Sequence, residues 1–85
     1  MNSHTFRIII EPDEGETYHG YVPRLPGCHT WGKTIEETRK NLQDAIQVYC
    51  KSLLDDGESI PEESGYELLE TVMLFSAKDQ QGYGN

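Results

Sequence analysis

Eighty-five residues with 7 basic and 15 acidic side chains, a net charge of -8 and 35% hydrophobic residues describe one acidic domain with room for a single core. No apolar run approaches the ~20 residues of a membrane span, and Met1-Asn2-Ser3-His4-Thr5 has neither the basic nor the apolar region of a leader peptide, so a cytoplasmic location is expected. An excess of carboxylates repels phosphate backbones, so direct nucleic-acid binding by this chain alone is not expected.

Thr5 to Glu11 alternates Phe6, Ile8 and Ile10 with Arg7, Ile9 and Glu11, the period of a half-buried strand. Pro12-Asp13-Glu14-Gly15 has turn chemistry, and Thr17 to Val22 resumes a β-branched and aromatic stretch, which predicts a hairpin. Two prolines within Pro23-Arg24-Leu25-Pro26-Gly27 interrupt the ladder before a short third strand, Cys28-His29-Thr30-Trp31. Leu25 and Trp31 are expected to shield the core at that end.

Thr34-Ile35-Glu36-Glu37 fits a capping box, in which the Thr34 hydroxyl accepts from the Glu37 amide and the Glu37 carboxylate returns to the Thr34 amide. Behind it Leu42, Ile46, Tyr49 and Leu53, joined by Ile35, Ala45 and Cys50, form one apolar stripe. Gly57 suits the position just past a helix end near Asp56. The apolar stretch Glu67 to Phe75 reads as a fourth strand. The expectation is an α+β fold of order β-β-β-α-β: a four-stranded mixed sheet, the last strand parallel to the first through a right-handed crossover, with one helix on one face. The domain spans 1–76, followed by a polar, disordered tail over 77–85. One helix leaves the second sheet face open to Ile9 and to some of Leu68, Val72 and Leu74, which predicts a homodimer or larger homo-oligomer.

Catalysis needs convergent groups, and the sequence supplies few. His4, His19 and His29 lack metal-ligand spacing, although His19 and His29 can approach across neighbouring strands, with Cys28 as the nearest further ligand. Cys28 and His29 are adjacent strand residues that point to opposite faces, which opposes a thiolate pair. Strand one offers only Glu11, at its end, to metal-assisted hydrolysis, and Asp13, Glu14 and Glu16 read as turn residues. No catalytic, metal or cofactor site is expected, and Cys28 and Cys50 read as buried thiols rather than a disulfide. Charge is uneven: residues 51–85 hold two basic and eight acidic side chains. Asp55, Asp56, Glu58, Glu62 and Glu63 are therefore the candidate contacts for a basic protein partner, against the plainer reading of a solvated loop face.

The stretch Gly20-Tyr21-Val22-Pro23-Arg24-Leu25-Pro26-Gly27-Cys28-His29-Thr30-Trp31-Gly32-Lys33-Thr34-Ile35-Glu36-Glu37-Thr38 resembles the HicB-like antitoxin family, and the likeness continues through Asn41, Ala45 and Ile46 to Gly57-Glu58-Ser59-Ile60-Pro61. The resemblance implies a partial ribonuclease H-like fold without nuclease chemistry. It also implies a partner, a small basic HicA-type toxin that cleaves RNA and is neutralised by binding. Many members carry a C-terminal DNA-binding segment that represses their own operon; the polar residues after the fourth strand are too few for one, so autorepression is not expected of this chain alone. The alternative is a stand-alone module of the same fold that binds another protein or a small ligand.

Overall fold

The computed structural model describes residues 3–75. A three-stranded antiparallel sheet of order β1-β2-β3, with β1 at Ile9–Asp13, β2 at Thr17–Tyr21 and β3 at His29–Gly32, is covered on one face by helix α1, Ile35–Asp55. Ile9 pairs with Tyr21 and Asp13 with Thr17; Tyr18 pairs with Gly32 and Tyr21 with His29.

The first strand begins later than the alternation predicts and runs through Pro12, which pairs with Tyr18. Proline is admissible there because β1 is an edge strand. The turn falls on Glu14–Glu16, where the Asp13 carboxylate accepts from the Glu14 amide and Gly15 and Glu16 take φ of 69° and 59°.

Alternation sorts the side chains. Ile10 and Gly20 face the helix, while His19, Tyr21, His29 and Trp31 share the opposite face. Val22, Leu25, Cys28 and Leu42 form the core, with Phe6, Ile8, Ala45, Ile46, Tyr49 and Cys50 packed around it. Two glycines set the helix-to-sheet distance: a Cβ on Gly20 would lie 2.9 Å from Thr38 Cγ2, and one on Gly32 only 2.7 Å from the Thr38 backbone nitrogen. Buried Thr38 therefore sits directly on the sheet, its hydroxyl donating to the Thr34 carbonyl at 2.7 Å.

Helix α1 starts and stops where local chemistry directs. Thr34 Oγ1 accepts from the Glu37 amide at 2.9 Å, but the Glu37 carboxylate reaches the Lys33 amide, at 2.6 Å, and not that of Thr34 as in a standard capping box. At the other end the Gly57 amide donates to the Leu54 carbonyl and the Glu58 amide to that of Leu53, a Schellman motif around Gly57 at φ 75°. Leu42 is fully buried and Ile46, Tyr49 and Leu53 partly so, whereas Ile35 lies on the exposed side of the first turn.

Two expectations need correction. Trp31 does not shield the core: Cys28 points inward, so Trp31, three residues on, points outward and is 48% exposed. Residues 67–75 form no strand and pair with none, so the sheet of the described residues has three antiparallel strands and not four in mixed order. The reason is contact: Leu69 is 97% exposed, and Leu68, Val72, Met73 and Leu74 are also exposed. The tail expected over 77–85 lies outside the described residues.

Candidate functional site

The five acidic positions singled out by charge do not behave alike. Asp55 ends α1 and accepts from Lys51 Nζ at 2.8 Å, an exposed i,i+4 pair. Asp56 is the C-cap residue, and Glu58 and Glu62 are exposed on the connection that follows. Glu63 is turned inward: one carboxylate oxygen accepts from the Arg7 amide at 3.1 Å and the other lies 4.0 Å from Arg24 Nε. Arg24 Nη2 also donates to Ser64 Oγ, and Arg7 Nε lies 3.6 Å from Glu67. Two arginines thus hold residues 63–67 against the body. Asp56, Glu58 and Glu62 have no ion-pair partner among the described residues, which leaves them as the open part of the acidic surface.

The uncovered sheet face forms a second cluster. His19 Nε2 and His29 Nδ1 share a hydrogen bond at 3.0 Å, and the His19 ring packs against both Tyr21 and Trp31 at centroid distances of 5.6 and 4.8 Å. Trp31 Nε1 donates to the Asp13 carboxylate at 2.8 Å. That bond, with the one from the Glu14 amide, holds the Asp13 carboxyl below its ordinary range. Asp13 is therefore occupied in fixing the turn and the indole. The approach of His19 to His29 was legible from the strand pairing; the indole joining them follows from the same period-two alternation once Cys28 is placed inside.

The described residues bring together no cluster of three or more metal-ligating side chains. Burial raises the thiol pKa of both Cys28 and Cys50, which are free, and Cys28 lies in the core with His29 on the far side of the sheet. A protonated thiol without a facing base is a poor nucleophile. No described helix is long and apolar enough to cross a membrane.

A family model, that of the HicB-like antitoxin of bacterial toxin–antitoxin systems, matches residues 6–78. The chain belongs to the HicB-like antitoxin family. Among curated relatives, a UPF0150 protein of Thermoplasma acidophilum is 41% identical over 63 residues, covering 74% of this chain and 91% of its own. One from Synechocystis is 33% identical over 60 residues, 71% of this chain and 76% of its own. Among solved structures, the N-terminal domain of the Burkholderia pseudomallei antitoxin HicB superposes with a TM-score of 0.63 at 34% identity, covering 72% of each chain. A chain of the HicA3–HicB3 toxin–antitoxin complex gives 0.60 at 26% identity, covering 73% of this chain and 72% of that one. The three-stranded antiparallel sheet and the helix described above are thus similar to those of a HicB N-terminal domain.

Proposed function

We propose that this protein is a non-catalytic antitoxin, working in the cytoplasm, that binds and neutralises a small basic HicA-type RNA-cleaving toxin. The observation that carries the reading is the family match over residues 6–78, and the similarity to a chain of the HicA3–HicB3 complex supports it. The acidic connection adds a physical rationale: Asp56, Glu58 and Glu62 present carboxylates on an exposed stretch beside the end of α1, where Asp55 is paired with Lys51, and such a surface steers a basic protein and repels RNA or DNA. Glu63 belongs to the same surface by sequence, but its contacts with Arg7 and Arg24 give it the task of anchoring the connection.

Co-expression with a HicA-type toxin tests this reading: growth is restored when the chain neutralises it, and continued RNA cleavage and arrest refute it. Changing Asp56, Glu58 and Glu62 to amides should lower the association rate at low salt and flatten its salt dependence, with the far-ultraviolet spectrum unchanged. An unaltered on-rate would move the docking surface elsewhere, to the exposed helix face around Glu36, Arg39 and Lys40.

A further inference from the structure

The histidine pair on the uncovered sheet face has a capacity that the antitoxin reading does not use. In the β2–β3 register His19 stands opposite Trp31 and His29 opposite Tyr21, so the two histidines are diagonal neighbours on the face away from α1. Side chains of this length can meet across such a diagonal, and these do: His19 Nε2 and His29 Nδ1 are 3.0 Å apart, with the rings at 83°. An ion held at about 2.0–2.1 Å by two imidazole nitrogens keeps them roughly 2.8–3.4 Å apart, from a right-angled to a tetrahedral arrangement. The pair is already spaced as two ligands of one ion.

The surroundings suit a cation. Glu11 stands opposite His19 from the β1 side, and β1, β2 and β3 contain no lysine or arginine. Trp31 packs on both rings at centroid distances of 4.8 and 4.9 Å, and its indole is tied to Asp13, which gives the imidazoles a fixed wall. His29 is exposed, which leaves room for water. Among the described residues no set of three ligating side chains forms, so water completes the coordination. Two imidazoles with open positions favour ions that prefer nitrogen, Cu²⁺ ahead of Ni²⁺ and Zn²⁺, over Mg²⁺ or Ca²⁺, which need oxygen ligands. His4 cannot join them, because it lines a groove between α1 and the segment leading into β1, with Phe6, Ile8 and Leu42.

We infer that His19 and His29 form a two-histidine site for a divalent transition-metal ion. In the neutral pair one ring donates to the other; on binding, that ring exchanges its hydrogen through solvent to its second nitrogen, and both facing nitrogens offer their lone pairs to the ion. One hydrogen bond is replaced by two coordinate bonds that tie β2 to β3, and no net proton is lost. The inference stands on the pair and does not depend on the toxin.

Trp31 is the single tryptophan of the chain, so its fluorescence reports on the site. Titrating the untagged full chain with Cu²⁺ at neutral pH should quench that emission to a plateau at one ion per chain. In NMR spectra Zn²⁺ should shift the ring signals of His19 and His29 before those of His4. His19→Gln and His29→Gln should each raise the dissociation constant at least about tenfold, since even a partner that only supports a ligand is worth that much, while His4→Gln leaves it unchanged. Neither histidine belongs to the core, so the metal-free variants should keep the parent's circular dichroism. Quenching that persists in both variants, that is lost on His4→Gln or that never saturates overturns the inference, as do Zn²⁺ shifts confined to His4.

Discussion

Helix α1 and the segment 68–74 are both rich in aliphatic residues, and they meet opposite fates. In α1 the apolar residues return every three or four positions, so Leu42, Ile46 and Tyr49 converge on the sheet while Glu36, Lys40, Asp44 and Gln47 face water. In the segment Leu68-Leu69 and Val72-Met73-Leu74 are contiguous, so they follow neither the helical nor the alternating period, and all five are exposed. Periodicity, more than hydrophobic content, decides whether a stretch can be buried by its own fold.

The sharpest way to break this contrast is to remove a large side chain from each region. Leu42→Ala opens a cavity under the helix and should cost about 2–5 kcal/mol in urea unfolding, enough to unfold much of so small a domain. Thr34→Ala should cost about 1 kcal/mol, because the Glu37 amide loses its acceptor while the helix keeps its packing. Leu69→Ser, at an exposed position, should change the unfolding free energy by no more than about 0.5 kcal/mol. A large loss there would mean that the segment packs on its own body, which would erase the contrast.

A subtler effect belongs to the uncovered face. Asp13 is held ionised by the Trp31 indole and the Glu14 amide, so its folded pKa lies below its ordinary value of 3.8. The sign follows: its contribution is complete above the unfolded value and fades as pH falls through the lower, folded one. The Trp31 fluorescence of the native chain should therefore show a step whose midpoint lies below pH 3.8, and Asp13→Asn should remove that step.

Most of the body was legible in the sequence because its signals are local. Thr34 and Gly57 mark the ends of α1 with side-chain and backbone chemistry confined to one turn, and the hairpin follows from Gly15 between two β-rich stretches. Sequence could not place the start of β1, since Phe6 and Ile8 keep the strand alternation and pack on the core without pairing to β2. The fourth strand was misassigned for a related reason: Glu67 to Phe75 has the composition of a strand, but a strand exists only with a neighbour, and composition does not name one. Within the acidic run, charge could not separate the open Asp56, Glu58 and Glu62 from Glu63, because Arg7 and Arg24 lie 56 and 39 residues away in sequence and meet it only in the fold.

The ties between α1 and the sheet all lie along one side. Thr38 rests on Gly32, Asn41 Nδ2 donates to the Trp31 carbonyl at 2.9 Å, and Tyr49 Oη donates to the Pro26 carbonyl at 2.8 Å. These points run down the helix flank nearest β3, with the groove on the opposite flank. The helix is therefore fastened to the sheet along its β3 side, while the flank beside the groove is held by packing. A side chain lost from that flank therefore has no hydrogen bond to the sheet beside it to limit the damage, unlike one lost beside Thr38, Asn41 or Tyr49.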